Sequence, residues 1–203
     1  MKDLFTIGYS IHTLDSFIAT LKKYSIEAVA DVRSVPFSQY KPEFNPHVFE
    51  EALKRQMIHY VFLGDQCGGR TNESKYYIDG KVNYKLLSED AEFKSGLHRI
   101  INGLSKYRIA LMCAEKDPIF CHRTILICRN LRYYNISIRH ILGDGNLEEH
   151  KESELRLLKL LKLNQMSIFT TASDQMERAY DKQGEKIAYK DLTSADTSLT
   201  LDG

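Results

Sequence analysis

The sequence predicts an α/β fold: an open, mostly parallel sheet of about five strands with helices on both faces, followed by a helical C-terminal extension. Two observations support this fold class. Short apolar runs alternate along the chain with stretches whose apolar residues recur at helical spacing. Two of the apolar runs also close on a glycine, as a strand does where the chain turns away from a sheet.

The predicted strands are the apolar runs at 4–8, 27–33, 59–64, 108–113 and 137–142. Between them, Thr13 is an expected helix N-cap, and Asn45 with Pro46 supplies the cap and the first-turn proline of the next helix. Further apolar stripes predict helices that contain residues 93–104 and 121–135. Right-handed crossovers bring the carboxyl ends of all strands to one edge of such a Rossmann-like or flavodoxin-like sheet.

Two segments do not fit this alternation. Residues 65–90 form a long predicted loop rich in tyrosine and lysine, and such loops are uncommon unless they are functional or disordered. Residues 148–163 predict an amphipathic helix that packs either on the domain or on a second subunit. In the second case the protein would be a homodimer. Residues 172–189 predict another helix. We therefore divide the chain into an α/β domain at 1–145, a helical extension at 146–190 and a disordered tail at 191–203.

Composition limits the functional classes. The 203 residues are 43% hydrophobic and 27% charged, with a net charge of +1, which suits one ordinary globular domain. This near-neutral balance excludes a positive potential over the whole surface that would attract nucleic acid. A local basic patch is still compatible with it. No segment suggests a targeting signal or a membrane span, so we expect a cytoplasmic protein with no membrane partner and with its four cysteines reduced.

The densest group of reactive side chains lies between a predicted strand and a predicted helix. Its members are two thiols, two carboxylates, an imidazole and two cations, namely Cys113, Cys121, Glu115, Asp117, His122, Lys116 and Arg123. An open α/β sheet presents ligand-binding groups where its strands end. The same edge is expected to gather residues from other strand ends, namely Gly8, Tyr9, Ser10, Asp31, Arg33, Ser34, Gly64, Cys113, Glu115 and Lys116.

An anion-binding turn is the first hypothesis for this edge. The sequence Cys121-His122-Arg123 opens a predicted helix, where free backbone N–H groups attract anions and a guanidinium suits phosphate or carboxylate. The alternative is that Cys121 packs in the core and Arg123 forms a structural ion pair. Two further stretches are candidates for the ligand: Gly8-Tyr9-Ser10 through its backbone, and Gly68-Gly69-Arg70 with its nearby tyrosines.

A metal site is considered and not favoured, so no cofactor is predicted. The pattern Cys-x7-Cys-His at Cys113, Cys121 and His122 differs from structural zinc motifs, whose paired ligands are two to four residues apart. Adjacent Cys121 and His122 are also expected to diverge on a helix.

Cys113 at a strand end followed by Arg123 on a helix is similar to the arrangement in rhodaneses and cysteine-dependent phosphatases. Those enzymes hold an anion in a short loop between the two residues, whereas nine residues with an internal Pro118 intervene here. A thiol enzyme that uses Cys113 or Cys121 is therefore retained as an alternative.

Several blocks together resemble one known family. They are Thr6-Ile7-Gly8-Tyr9-Ser10, Asp31-Val32-Arg33-Ser34, Pro36, Phe44-Asn45, Gly68-Gly69-Arg70, Cys113-Ala114-Glu115-Lys116-Asp117-Pro118 and Cys121-His122-Arg123. The chain is similar over residues 4–142 to the domain-of-unknown-function family 488, in which histidine often stands at the position of Tyr9. The resemblance implies a compact α/β fold in a bacterial-type cytosolic protein and no particular reaction.

The leading functional hypothesis is an enzyme, a hydrolase or transferase, that acts on a phosphate-bearing ligand such as a nucleotide or nucleic acid. The candidate catalytic residues are Asp31, Glu115, Cys113, Cys121 and His122. The candidate anion or substrate ligands are Gly8, Tyr9, Ser10, Arg33, Ser34, Gly69, Arg70, Lys116 and Arg123. The alternative from another class is a nucleotide- or nucleic-acid-binding module without turnover.

Overall fold

The computed structural model of the chain describes residues 2–164 and 171–191. Its strands are β1 (Lys2–Gly8), β2 (Ala28–Asp31), β3 (His59–Phe62), β4 (Tyr77–Ile78), β5 (Lys81–Val82), β6 (Ile109–Cys113), β7 (Ile136–Ile141) and β8 (Leu147–Glu149). Six of them form one sheet in the order β3-β2-β6-β1-β7-β8, and β4 pairs with β5 in a small hairpin. All pairs in the large sheet are parallel except β7 with β8. The predicted mostly parallel sheet is confirmed.

The α-helices are α1 (Leu14–Lys23), α2 (Pro46–Lys54), α3 (Gly64–Cys67), α4 (Tyr84–Ser88), α5 (Ala91–Gly103), α6 (Arg129–Leu131), α7 (His150–Leu160) and α8 (Ala172–Ile187). A π-helical segment, Arg123–Cys128, leads directly into α6. The predicted caps form in part: the Thr13 hydroxyl accepts from the Ser16 amide, and Pro46 begins α2. Among the described helices, none is both long and apolar enough to cross a membrane.

The sheet separates two hydrophobic cores. Successive residues of a strand point to opposite faces, and on β1 Leu4 belongs to one core and Phe5 to the other. The core that contains Phe5 is covered by α1 and α2, through Phe17 and Phe49. The core that contains Leu4 is covered by α5, the π-helical segment and α8, whose buried residues include Ile100, Ile125 and Tyr180. Helices on both faces are therefore confirmed.

Two element predictions are corrected, and one edge strand is added to the predicted sheet of about five. Residues 65–90 are not a structureless loop, because they contain α3, the β4–β5 hairpin and α4. The sheet has six strands, since residues 147–149 pair with β7 at the edge of the sheet before α7 begins. The helix expected at 121–135 begins as a π-helix and ends at Leu131. The predicted tail at 191–203 lies, apart from residue 191, outside the described residues.

The segment predicted as an extension packs against the α/β core. Leu157 of α7 and Met176, Ala179 and Tyr180 of α8 are buried in the same core as β6. The predicted amphipathic helix therefore packs on this domain through Leu157, while Leu155 on its other side is exposed.

Candidate functional site

The parallel registers bring several strand ends to one edge of the sheet. Gly8 of β1 lies beside Cys113 of β6, and Asp31 of β2 lies beside Met112. A cleft of about 280 Å³ opens at this edge. Predicted site residues that line the cleft are Tyr9, Arg33, Ser34, Gly69, Arg70, Cys113, Glu115 and His122. They are close in space as expected, whereas their chemical roles stay predictions.

Two thiols, a carboxylate and an imidazole meet at the floor of the cleft. Oε2 of Glu115 lies 3.1 Å from Sγ of Cys113 and 2.9 Å from Sγ of Cys121. Nδ1 of His122 lies 3.6 Å from Sγ of Cys113 and 4.0 Å from Sγ of Cys121. Both thiols are buried, while Glu115 extends to the exposed rim. We call these four residues the thiol cluster.

The backbone around Cys121 explains how adjacent residues join one cluster. A 3-10 turn, Pro118–Phe120, ends at Cys121, whose φ and ψ of −131° and 142° are extended. His122 then takes a helical conformation and precedes the π-helical segment. The predicted divergence of the two side chains on a helix is therefore wrong, because Cys121 is not helical.

A hydrogen bond sets the orientation of the His122 ring. Nε2 lies 2.8 Å from the carbonyl oxygen of Val32 at the end of β2. A carbonyl oxygen only accepts, so Nε2 carries the proton and donates. The other ring nitrogen, Nδ1, therefore faces the two sulfur atoms.

Burial and neighbouring charges shift the pKa values of the cluster. The pKa of Cys113 is raised well above its usual value by its hydrogen bond with Cys121 and by burial. Burial opposes ionisation of Cys121, yet Cys113, Arg123 and His122 together hold its pKa well below the usual value. Burial, followed by the nearby Cys121, raises the pKa of Glu115. Burial disfavours the imidazolium of His122, but Cys121 and Glu115 outweigh it and raise the pKa of that ring.

Arg33 forms part of the wall of the cleft. Its Nε and Nη2 donate to the Asp31 carboxylate at 2.9 and 2.6 Å, and Nη2 also donates to the carbonyl of Phe44. Tyr60 donates a further hydrogen bond to Asp31, and the guanidinium lies over the ring of Tyr9. Asp31 is completely buried and does not line the cleft, so its contacts make it a positioning residue for Arg33.

One nitrogen of the Arg33 guanidinium makes no hydrogen bond with the described residues. Arg33 is only 5% exposed, and its Nη1 is buried without a hydrogen-bond partner among the described residues. Burial opposes the charge of Arg33, but the hydrogen bond and charge of Asp31 raise its pKa, so the guanidinium stays protonated.

The chain after β3 forms the rim of the cleft. The backbone N–H of Arg70 donates to the Ser34 hydroxyl at 2.9 Å, and its guanidinium lies 4.6 Å from the centre of the Tyr189 ring. Gly69 lies against His122: a Cβ at this position would stand 2.9 Å from Cγ of the imidazole. Glycine therefore permits the rim to approach the thiol cluster.

Arg123 does not face the cleft, contrary to its predicted role as an anion ligand. It is completely buried, and its Nη1 and Nη2 donate to the carbonyl oxygens of Glu115 and Lys116 at 2.6 and 3.4 Å. Its Nε donates to the hydroxyl of Thr6 at 3.2 Å. Nor does Arg123 form the predicted structural ion pair within the described residues, since all three of these acceptors are neutral.

The rhodanese-like anion loop is also absent from this part of the described chain. Between Cys113 and Arg123, the 3-10 turn is capped by Asp117, whose side chain accepts from the amide of Ile119. The arginine binds carbonyl oxygens of the same loop, so the loop presents no guanidinium to an anion.

The predicted backbone anion site at residues 8–10 is corrected for a similar reason. The N–H groups of Tyr9 and Ser10 donate to the carbonyl oxygens of Cys113 and Ala114, each at 3.0 Å. They continue the pairing of β1 with β6 and are not free for a ligand. Ser10 and Lys116 are exposed, and neither they nor Gly8 line the cleft.

The family comparison agrees with the residues that build this site. The sequence model of the family described as "Domain of unknown function DUF488" matches residues 13–129. The chain belongs to the DUF488 family. The matched DUF488 region contains Arg33, Arg70 and the whole thiol cluster, whereas β1, β7, β8, α7 and α8 lie outside it. No curated protein and no solved structure matches the chain.

Sequence reasoning missed several residues of the cleft. Tyr84, Phe37, Phe120, Ile187 and Tyr189 also line it. Tyr84 lies in the tyrosine-rich segment that the sequence singled out. Tyr189 follows α8, outside the DUF488 region, and no local pattern indicated that it returns to this edge.

Sequence reasoning also missed a buried hydrogen-bond network next to the site, which links Thr6, His140, His150, Tyr180 and Glu154. Tyr180 donates to Glu154 at 3.0 Å, so Nε2 of His150 must donate to the Tyr180 oxygen, also at 3.0 Å. Since burial lowers the pKa values of His140 and His150, both rings are neutral at pH 7. His140 Nε2 therefore donates to His150 Nδ1 at 2.9 Å, and the Thr6 hydroxyl donates to His140 Nδ1 at 2.8 Å.

Proposed function

We propose that this DUF488 protein binds a phosphate-bearing ligand, a nucleotide or the phosphate of a nucleic acid, in the cleft at the carboxyl edge of its sheet. The observation that carries the proposal is that Nη1 of Arg33 is buried and has no hydrogen-bond partner within residues 2–164 and 171–191. A buried N–H group without a partner costs free energy, and an anionic oxygen in the cleft would relieve that cost. Arg70 at the rim adds a second guanidinium on the same wall.

The surroundings of Arg70 favour a nucleotide over a bare anion. A second cavity of about 840 Å³ shares Arg70 and Tyr189 with the cleft and is also lined by Tyr76 and Tyr77. Tyrosine rings offer flat apolar faces on which a base can stack. A phosphate at Arg33 and a base in the larger cavity would together use both spaces.

Three residues of the thiol cluster, Cys113, Glu115 and His122, line the same cleft as Arg33 and supply groups for chemistry. Glu115 is the candidate acid or base, because its carboxylate reaches the cleft and its pKa is raised by burial. Asp31 is excluded from that role by its burial beneath Arg33. We therefore propose a hydrolase or transferase, with a binding module as the alternative. The proposed location is cytoplasmic, which the four unpaired cysteines support.

Ligand binding is tested by titrating the purified chain with phosphate, mononucleotides and short oligonucleotides, using calorimetry or thermal shift. Arg70→Ala should weaken binding of the responding ligand by roughly tenfold or more, since a charge-assisted hydrogen bond is lost. Arg55→Ala is the matched control, because Arg55 is an exposed arginine of the loop after α2 and does not line the cleft. A flat response to the whole panel, or equal losses in both variants, would contradict the proposal.

Turnover is tested with the ligand identified in this way. If the protein is an enzyme, Glu115→Gln should keep the ligand affinity and lose product formation. A wild-type protein that binds without forming product supports the binding module. Activity that survives Glu115→Gln but not Cys113→Ser would support the thiol enzyme, because Cys113 also lines the cleft.

A further inference from the structure

Cys113, Cys121 and His122 form a group of metal-ligand type. The two sulfur atoms and one imidazole nitrogen all lie within 4.8 Å of one another. Thiolate and imidazole are ligands that zinc prefers, and a Cys2His set with an exchangeable fourth ligand is found in catalytic zinc sites. We propose that these three residues bind a zinc ion, with Glu115 or a water molecule as the fourth ligand.

The distances suit a tetrahedral ion. With zinc bonds of about 2.3 Å to sulfur and about 2.0–2.1 Å to nitrogen, each sulfur lies about 3.6 Å from the nitrogen in a tetrahedron. Nδ1 of His122 lies 3.6 and 4.0 Å from the sulfur atoms of Cys113 and Cys121. Both sulfur-to-nitrogen distances are therefore within a few tenths of an ångström of the tetrahedral value.

The imidazole is already oriented for metal binding. Its Nε2 donates to the Val32 carbonyl at 2.8 Å, which directs Nδ1 toward the sulfur atoms. Histidine ligands of metals usually donate their second nitrogen to a carbonyl or carboxylate in this way. The contact therefore fixes the tautomer and the ring orientation that a zinc ligand requires.

Charge gives an independent argument. Arg123 is completely buried beside the cluster, and its hydrogen bonds go to two carbonyl oxygens and a hydroxyl. A buried cation needs a nearby anion, and the groups that can supply one to Arg123 are Cys121, Cys113 and Glu115. Two thiolates and one carboxylate around a divalent ion carry a net charge of −1, which Arg123 would neutralise. Metal binding requires only that the thiol protons leave to solvent.

The fourth position faces the cleft. Oε2 of Glu115 lies 3.1 and 2.9 Å from the two sulfur atoms, closer than a zinc-bound oxygen would lie. Glu115 is exposed on its other side, so its carboxylate has room to withdraw onto the ion or to yield to water. Three protein ligands and one exchangeable position are the features of a catalytic zinc site. This inference does not depend on the phosphate-bearing ligand proposed above.

The test is metal analysis of the full chain, purified without chelator and without a histidine tag. We expect about one zinc ion per chain, either as isolated or after reduction and addition of Zn²⁺. Substitution with Co²⁺ should produce a thiolate-to-cobalt charge-transfer band and the intense visible bands of a tetrahedral ion. A wild-type chain that holds neither ion against a weak chelator overturns the proposal, and the cysteines are then free thiols.

Variants locate the ion. Cys113→Ser, Cys121→Ser and His122→Gln should each lower zinc affinity by at least roughly 10- to 100-fold, and Glu115→Gln should keep the sulfur charge-transfer band. Cys128→Ala is the matched control, because Cys128 is a buried thiol outside the cluster. Equal losses in Cys128→Ala and Cys113→Ser would contradict the assignment. Where a ligand variant fails to fold, the cobalt spectrum of the wild-type chain still decides between a thiolate-bound ion and none.

Discussion

The Nη1 atom of Arg123 lies 2.6 Å from the carbonyl oxygen of Glu115. Through this contact, a completely buried guanidinium holds the start of the loop between β6 and the π-helical segment. Glu115 and Cys121 both belong to that loop, so the geometry of the thiol cluster depends on a residue that does not touch the cleft. The contact makes Arg123 a positioning residue.

Replacing Arg123 is therefore predicted to reduce stability. Arg123→Met should lower the free energy of unfolding by roughly 3 kcal/mol or more, because three buried acceptors lose their donor. Urea unfolding measures this change. The control, Arg55→Met, should change stability by less than about 0.5 kcal/mol, since Arg55 is exposed. An Arg123→Met protein with wild-type stability and lost ligand affinity would restore the anion-binding role.

Gly8→Ala is predicted to disturb the same loop from the other side. A Cβ on Gly8 would stand 1.9 Å from the carbonyl oxygen of Glu115, which is backbone and cannot rotate away. We expect a loss of roughly 2–3 kcal/mol from this overpacking, measured by thermal or urea unfolding. Gly143→Ala is the control, because its Cβ meets only the end of the exposed Ile11 side chain. Similar losses in both variants would show that the close approach is unimportant.

The buried histidine pair predicts acid sensitivity. Burial lowers the pKa of His150 to about 4, below the unfolded value of about 6.5. As the pH falls from about 6.5 toward 4, His150 takes up a proton in the unfolded chain but stays neutral in the folded chain. The free energy of unfolding therefore decreases on acidification. The contribution of His150 to stability is fully present above about pH 6.5. Between pH 7 and pH 5, His150 alone should remove about 2 kcal/mol.

This pH dependence is measured by urea unfolding of the wild type and His150→Gln at both pH values. The variant should lose about 2 kcal/mol less than the wild type between them, even if it is less stable at pH 7. His47→Gln, which changes an exposed histidine of α2, should follow the wild-type profile. Parallel profiles for the wild type and His150→Gln would show that the ring is not buried in its neutral form.

The hydroxyl of Tyr180 is predicted to stabilise the attachment of α8. It donates to Glu154 at 3.0 Å and accepts from His150, so Tyr180→Phe leaves Nε2 of the buried His150 without this acceptor, while Glu154 keeps its hydrogen bond from Arg132. We expect a loss of roughly 1–2 kcal/mol on unfolding. Tyr40→Phe serves as the control, since Tyr40 is 97% exposed.

A double-mutant cycle tests whether Tyr180 and His150 act together. The losses of Tyr180→Phe and His150→Gln should be less than additive, by roughly 0.5 kcal/mol or more, because both variants break the same contact. Strict additivity would mean that the 3.0 Å contact does not stabilise the protein.

The local sequence pattern was sufficient to predict five strands of the α/β core. The five predicted strands all form, because an apolar run bounded by polar residues has few other ways to bury its side chains. The right-handed crossover rule also predicted that Cys113, Glu115, Arg33 and Ser34 lie at one edge of the sheet. By contrast, β8 was missed, since Leu147 and its neighbours form a strand only by pairing with β7.

The sequence by itself determined that the carboxyl ends of the strands meet at one edge of the sheet, because periodicity predicts the strands and parallel strands have right-handed crossovers. Only the tertiary structure decided which way the side chains at that edge face. Arg123 turns inward to three buried oxygen atoms, and Cys121 is extended rather than helical, so that its sulfur meets Cys113, Glu115 and His122. The physical reason is that a side chain's direction depends on the packing and on the hydrogen bonds that distant residues offer, and no local pattern records those partners.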